Sequence, residues 1–485
     1  MLIDTRNKSI RFHLFLGSLL SVVFVVLVVA CSTPPAVEEA TSTPEKSQGQ
    51  ENQAVESLQK EAPSGEIEKV MDATQDGAPP EPSGAENLNE PIVEQSPEVD
   101  PSEKNPETPI GGDSPGKGYR LTVNNGYGSG VYPAGTRVHI WARHNPYQSL
   151  VIGWSGDTSV LDNKGEWHTT ITMPARSVTL TPRLKAVTSK LQSASFQGVK
   201  YKKPVLFMIP PNPKGLILAF HGTGGSHKYI QRLETLYVAR KAYNRGYGVI
   251  SADAEEVQAG DTDKNGKIRW NPDINNAKNP DFANVRLMLQ ALVKQKKITE
   301  KTPIYAFGMS NGGAFSFSVG HALKLKAVVS YCASGRLDVA RQTKTPSMWL
   351  LCQNDSNPQV SNARAKQNYQ ALVSRKIDAA YHEHPASPLY EGRFFRIIGI
   401  NLQKSVQLAK EMHSNKLVDT KGYFQGNAET LLKRLQGNQK SFPVLFGLTK
   451  GLQAGVFGQV RIMLADHAMY DDYATKMLDF FDKHP

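Results

Sequence analysis

From residue 204 onward the chain alternates between short apolar runs and helix-period segments, and this alternation limits the fold more than any other feature of the sequence. Apolar, β-leaning runs lie at 204–209, Leu216–Phe220, Tyr247–Ala252, Ile304–Phe307, Ala327–Tyr331, Met348–Leu351 and Val460–Leu464. Helix-period segments lie near 230–245, 282–297, 312–323 and 473–483. Strands that alternate with helices pair in parallel, and a parallel sheet must be covered by helices on both faces. Residues 190–485 are therefore expected to form an α/β domain with a mostly parallel sheet.

The chemistry sits at one junction of this pattern. Gly308-Met309-Ser310-Asn311-Gly312 follows the run 304–307 and opens the segment 312–323. A G-x-S-x-G string between a strand and a helix is a nucleophile elbow: the glycines permit a sharp turn that thrusts the serine above the sheet. Ser310 is the expected nucleophile. Earlier, His221-Gly222-Thr223-Gly224-Gly225 directly follows the run 216–220. A loop of that kind supplies one backbone amide of an oxyanion hole, and the residue after the nucleophile supplies the other. Thr223 and Asn311 are the expected donors.

In this arrangement the acid and the base follow the serine in chain order. Asp355 stands just past the run 348–351, in Cys352-Gln353-Asn354-Asp355, and Asp338, past 327–331, is the alternative. His467 follows the last apolar run in Ala465-Asp466-His467-Ala468 and is the expected base. His227 lies close to the oxyanion loop but precedes Ser310, while His382, His384 and His413 fall in an expected insertion and are read as surface residues. In such a set His467 takes the Ser310 proton as the hydroxyl attacks a carbonyl, Asp355 orients the imidazole, and an acyl-enzyme forms that water releases, with no metal required.

Residues 200–485 resemble extracellular esterases of the α/β-hydrolase superfamily, the group of polyhydroxybutyrate depolymerases and feruloyl or acetyl-xylan esterases. The carrying residues are His221-Gly222 with Gly224-Gly225, Trp270-Asn271, the region Asp281 to Val285, Gly308 to Gly313, Asp355 and His467. The resemblance implies the α/β-hydrolase fold and hydrolysis of carboxylic esters. The separation of Asp355 from His467 exceeds what one helix and one strand need, so residues about 380–455 are expected to form an inserted cap. Phe394, Phe395, Tyr423 and Phe424 either line an acyl pocket from it or fill its own core.

Upstream, residues 117–187 switch to period two, as in Arg120-Leu121-Thr122-Val123, Thr136 to Ile140 and Ser177 to Thr181, with turn signals at Asn124-Asn125-Gly126 and Pro133-Ala134-Gly135. A small antiparallel β domain is expected. Leu121-Thr122-Val123 with Gly126, Gly128 and Gly130, then Tyr132 to Gly135, Gly153-Trp154-Ser155-Gly156-Asp157 and Thr172-Met173-Pro174, resemble the divergent internalin-B-type repeat. That resemblance implies a spacer or adhesion unit. Trp141, Trp154 and Trp167 form either a sugar-binding platform or core, and Trp154 reads as core.

The N-terminus reads as an export signal over 1–31. Arg6, Lys8 and Arg11 precede an apolar run from Leu14 to Ala30, and Val28-Val29-Ala30-Cys31 resembles a lipobox, with Cys31 as the lipid attachment site. A cell-envelope lipoprotein is expected, held at the outer membrane or another extracytoplasmic face. Residues 32–116 hold 19 acidic residues, 4 lysines and no Phe, Tyr or Trp, the composition of a disordered linker. The whole chain is +11. Setting aside the linker, and a leader with three cations and one acid, leaves +24 on 117–485. Such a surface attracts polyanions. Outside the cytoplasm these are acidic polysaccharide, lipopolysaccharide or anionic lipid; no nucleic-acid motif is present, and the same charge also serves solubility. The sequence sets no oligomeric state.

Two smaller sites complete the reading. Cys332 and Cys352 stand near the ends of neighbouring expected strands and are either a disulfide or two buried thiols. Asp261, Asp263 and Asn265 stand at the first, third and fifth positions of a calcium-type loop with Gly266 at the sixth, but Pro272 occupies the twelfth, where a bidentate Glu belongs; an Asn265-Gly266 turn explains the loop without an ion. The leading functional expectation is a tethered serine esterase acting on esterified polysaccharide or polyester. A non-catalytic surface adhesion or carbohydrate-binding lipoprotein, or a serine peptidase of related fold, is the alternative.

Overall fold

The computed structural model describes residues 118–485. The expected leader with Cys31 and the acidic segment lie outside the described residues. Among the described residues no helix is long and apolar enough to cross a membrane.

Residues 118–187 fold into two small sheets. Strands β1 (Tyr119–Val123), β3 (Gly130–Tyr132), β5 (Ser149–Gly156) and β7 (Val178–Ala186) form one, in the order β3-β1-β7-β5. Strands β2 (Gly126–Tyr127), β4 (Arg137–Ala142) and β6 (His168–Thr172) form the other. Pairing is antiparallel except between β1 and β7. Alternate residues of the strands point inward, so Leu121, Val123, Ile140, Val151, Ile171 and Leu180 meet in one core. Trp141, Trp154 and Trp167 are all buried in it, and none is available as a flat sugar platform.

The larger domain is built on eight strands: β8 (Gln192–Gln197), β9 (Lys202–Met208), β10 (Gly215–Phe220), β11 (Tyr247–Ala252), β12 (Ile304–Met309), β13 (Ala327–Tyr331), β14 (Ser347–Cys352) and β15 (Ala379–His384). Their order across the sheet is β8-β9-β11-β10-β12-β13-β14-β15. Strand β9 runs against both its neighbours, and β10 to β15 pair in parallel. A second strand reversed and a third and fourth exchanged make this an α/β-hydrolase sheet. The central strands β10, β11, β13 and β14 are buried at every position, which is why they read in sequence as continuous apolar runs.

Helices cover both faces. Helix α1 (Leu233–Asn244) packs with the C-terminal helix on one side. Helices α2 (Glu255–Ala259) and α3 (Pro280–Lys294) follow β11. Together α3, α4 (Asn311–Leu323), α5 (Leu337–Gln342) and α6 (Asn362–Val373) cover the other side. An insertion leaves the sheet after β15 and carries α7 (Leu402–Ser414), α8 (Ala428–Gly437), α9 (Pro443–Phe446) and α10 (Lys450–Met463); α11 (Ala474–Asp482) then returns to the sheet.

The insertion differs from the sequence expectation at both ends. Val460–Leu464, expected as a strand, is the last turn and cap of α10. Val456, Phe457, Val460, Met463 and Leu464 recur at helical spacing and fill the insertion's core. An apolar run of five cannot by itself distinguish strand from buried helix. The last strand of the sheet is instead β15, whose residues were expected to belong to the cap. Phe394 and Phe424 lie in the insertion's own core rather than facing a pocket.

The small β domain is docked, not strung on a spacer. From the turn leading into β6, Trp167 Nε1 donates to Asp471 Oδ1 at 3.0 Å, and the neighbouring His168 Nδ1 lies 3.2 Å from Asp472 Oδ1. Glu166 accepts from the Thr475 amide and pairs with Lys241 at 2.9 Å. From the insertion, buried Arg396 pairs with Asp471 and places its guanidinium 3.7 Å from the centre of the Trp167 ring. Tyr390 stacks on Trp141 at 4.4 Å.

Candidate active site

Strand β12 ends and α4 begins with a single residue between them, Ser310, at φ 57° and ψ −123°. That conformation costs a non-glycine residue about 1–2 kcal/mol. It is held by a hydrogen bond from the Ser310 amide to the Tyr331 carbonyl at 2.9 Å. The elbow is so tight that its glycines have no room for a side chain. A Cβ on Gly312 would stand 2.2 Å from the Phe220 carbonyl oxygen, and one on Gly308 2.3 Å from the Gly312 oxygen. This close approach brings the start of α4 against the end of β10, where the loop 221–225 departs.

That loop is pinned by His221. The Ala254 amide donates to Nε2 at 3.2 Å, so the ring proton sits on Nδ1, which faces the Gly222 carbonyl at 2.7 Å. Burial holds this imidazole neutral, its pKa lowered to about 4. The amides of Gly224 and Gly225 are taken by the Ile268 and Gly222 carbonyls. Asn311 and Trp270 exchange a reciprocal pair of hydrogen bonds, Trp270 N–H to Oδ1 at 2.8 Å and Nδ2 to the Trp270 carbonyl at 3.1 Å. The Asn311 side chain therefore braces the segment around Trp270, whose Ile268 carbonyl in turn holds the Gly224 amide of the loop 221–225. Its own amide is among the first-turn donors of α4, which have no partner within the helix.

Asp355 and His467 are brought together. Nδ1 of His467 lies 3.0 and 2.9 Å from the two carboxylate oxygens, and both side chains are almost wholly buried. The loops carrying them are laced on either side. Asn354 donates through its amide to the Ala465 carbonyl and through Nδ2 to the Leu464 carbonyl, each at 2.9 Å, and Asp466 accepts from the Ser356 amide at 2.8 Å. An imidazole held at Nδ1 by a buried carboxylate keeps its basic nitrogen at Nε2, the tautomer a general base needs.

The other acid and base candidates go elsewhere. Asp338 forms a two-bond pair with Arg336 in the first turn of α5. His227 is bound to Asp253 through both its ring, at 2.9 Å, and its amide. Burial alone would raise the Asp253 carboxyl, but these bonds outweigh it and hold the pKa below its ordinary value. His413 is exposed and His382 half-buried. His384, read from sequence as a surface residue, is buried at the end of β15 and lies 2.5 Å from Asp472. Its surroundings give the physical reason: it pairs with buried Cys352 at the end of β14 and its ring stacks on buried Tyr470 at 4.3 Å, so residue 384 continues the sheet into the core.

Sequence reasoning missed Cys332 as a neighbour of this pair. Its Sγ lies within 4.8 Å of a carboxylate oxygen of Asp355 and a ring nitrogen of His467. At the calcium-type loop the carboxylates of Asp261 and Asp263 are joined within 4.8 Å by that of Glu256, which sequence did not single out. Asp261 accepts from the amides of Asn265 and Gly266, and Asp263 faces Arg269 at 3.5 Å, the bonds of a self-contained turn.

No family model matches the sequence, and no curated protein matches it. Solved structures are similar at low identity. A thermostable esterase is 12% identical, with 56% of this chain and 91% of that chain covered and a TM-score of 0.33. The dienelactone hydrolase of Anabaena variabilis is 19% identical, with 47% and 98% covered and a TM-score of 0.31. The S-formylglutathione hydrolase of Agrobacterium tumefaciens is 12% identical, with 42% and 89% covered and a TM-score of 0.33.

Proposed function

We propose that the chain is a serine hydrolase of carboxylic esters, with Ser310 as nucleophile, His467 as general base and Asp355 as the orienting acid. The observation that carries this reading is the strained residue between β12 and α4: a serine at φ 57° with glycines packed against backbone on both sides, at the same end of the parallel strands as a buried carboxylate–imidazole pair. Strain at a polar residue marks a position held for chemistry.

In the proposed reaction the Ser310 hydroxyl attacks the ester carbonyl and passes its proton to His467. The amides of Thr223 and Asn311 bind the tetrahedral oxyanion. His467 then protonates the departing alcohol, and water, deprotonated by the same imidazole, releases the acyl group. The +24 charge of residues 117–485 supports an acidic, esterified polymer as substrate, and the leader ending in Cys31 supports a chain tethered by lipid at the cell envelope.

A fluorophosphonate probe tests the reading. It should label wild-type protein at Ser310, and Ser310→Ala should lose labelling and about 10⁴-fold or more of p-nitrophenyl ester turnover. Wild-type protein that neither labels nor cleaves acetyl, feruloyl or hydroxyalkanoate esters would refute it.

A further inference from the structure

Two thiols lie beneath the Asp355–His467 pair and have no part in the proposed reaction. Cys332 and Cys352 are free and buried, with their Sγ atoms 3.2 Å apart. We propose that they are a disulfide-forming pair, closed as the chain folds under oxidising conditions, which ties the ends of β13 and β14 together under the acid and base. The pairing stands on its own geometry; only its consequence for catalysis rests on the function proposed above.

The register brings the two backbones within bridging range. Tyr331 is opposite Leu350, so Cys332 is level with Leu351 and Cys352 is one residue further along. With strands about 4.8 Å apart and a rise of about 3.3 Å per residue, the Cα atoms are roughly 5.8 Å apart, inside the range of disulfides. Alternation along a strand would place Cys332 on the opposite face from Tyr331. It does not, because Cys332 has a φ of 46°, a conformation rare for a residue with a side chain. Both thiols therefore enter the same core cluster as Tyr331 and Leu350. The Cys332 amide, bonded to the Leu350 carbonyl at 3.0 Å, fixes that turn. Closing to a bonded distance of about 2.05 Å requires a movement of roughly 1 Å, which side-chain rotation supplies.

The pair lies next to the segments that carry Ser310, Asp355 and His467. The Tyr331 carbonyl, one residue before Cys332, holds the Ser310 amide. Cys332 Sγ donates to the carbonyl of Ala468, next to His467, at 3.3 Å. Cys352 is three residues before Asp355, on the same strand end. Burial pushes the Cys332 thiol up, so in the folded chain this thiol stays protonated and unreactive. The bond therefore forms before the strand ends are covered. The oxidant is a small-molecule disulfide or the disulfide of a thiol oxidoreductase. One cysteine thiolate attacks it to give a mixed disulfide and one leaving thiol. The second cysteine then displaces the other. One S–S bond breaks and one forms, the chain loses two hydrogens, and the reagent gains them as two thiols.

The test uses the full chain carrying Cys31→Ser, unfolded in reductant and refolded either in dithiothreitol or in a mixture of oxidised and reduced glutathione. Each sample is alkylated in denaturant and weighed intact. The glutathione-refolded chain should take up no alkyl group and weigh two hydrogens less, while the dithiothreitol sample takes up two. Thermal melting should be higher by roughly 5 °C in the oxidised form, a difference that vanishes with Cys352→Ser added. Two alkylated thiols in both samples, or an oxidised form that melts no higher, would overturn the proposal. A bridged protein that does not label at Ser310 would count against the esterase reading alone.

Discussion

Asp355 presents both carboxylate oxygens to Nδ1 of His467, at 3.0 and 2.9 Å, across 112 residues of intervening chain. Among the described residues the same carboxylate accepts one further hydrogen bond, from the Asn357 amide at 3.0 Å, so its main task is the imidazole. Replacing it with an amide should leave the fold in place and present the ring with an N–H donor, reversing the tautomer. Asp355→Asn is expected to lower kcat by about 10⁴-fold with little change in KM. Asp338→Asn, which breaks only the partly exposed pair with Arg336, should leave both parameters near wild type. Steady-state kinetics on one p-nitrophenyl ester decides between the two acids; equal losses in both variants would contradict the assignment.

The elbow offers a second test that is steric rather than chemical. A Cβ at Gly312 would meet the Phe220 and His221 carbonyl oxygens at 2.2 and 2.3 Å, and backbone at the end of a central strand cannot move aside cheaply. Gly312→Ala should cost about 3 kcal/mol or more and displace the loop 221–225. Chemical denaturation together with probe labelling reads both effects. Retention of wild-type stability and labelling would mean that the loop does not sit where these contacts place it.

The parts of this fold that were legible in sequence are those governed by local chemistry. The buried strands β11 and β13 read out at their true bounds because parallel strands carry unbroken apolar runs. The elbow was legible because a strand–turn–helix junction with flanking glycines has few other uses. What could not be read depended on contacts distant in sequence. The run Val460–Leu464 is apolar whether it enters a sheet or a helical insertion, and only packing on α7 to α9 decides. His384 looked like a surface histidine because its partner, Asp472, stands 88 residues later. The docking of the small β domain likewise depends on Glu166, Trp167 and His168 meeting residues some three hundred positions further on.

That docking predicts a strong penalty for disturbing Asp471. This carboxylate accepts from Trp167 and pairs with Arg396, whose guanidinium is buried against the same indole. Asp471→Leu removes the direct partner and leaves a buried cation with only the charge of Glu234 to offset it, which should cost about 3 kcal/mol. Adding Arg396→Leu removes the stranded charge and should recover a large part of the loss. Urea denaturation of the two singles and the double gives the coupling directly. Additive losses would show that the two residues do not act as a pair.

Acid should weaken the protein through histidines that are buried neutral, and His144 isolates the effect. Burial, reinforced by the charges of Arg396 and Lys241, lowers its pKa from 6.5 to about 3, against a smaller opposing pull from the Ala142 carbonyl. His139, lowered to about 3 by burial and by His168, and His221, lowered to about 4, act in the same direction. For a base with a depressed folded pKa, unfolding takes up a proton once the pH falls below the unfolded value. Its stabilising contribution is complete above pH 6.5 and is lost progressively toward pH 3. At pH 5 each fully buried histidine of this kind has lost about 2 kcal/mol. The His144 ring packs against Trp167 and Tyr237, and its Nε2 has no hydrogen-bond partner among the described residues, so phenylalanine is a near-isosteric replacement that cannot titrate. Urea midpoints measured at pH 8 and pH 5 should show that His144→Phe loses about 2 kcal/mol less than wild type over that interval. An identical loss in both proteins would mean that His144 is not held neutral by the fold.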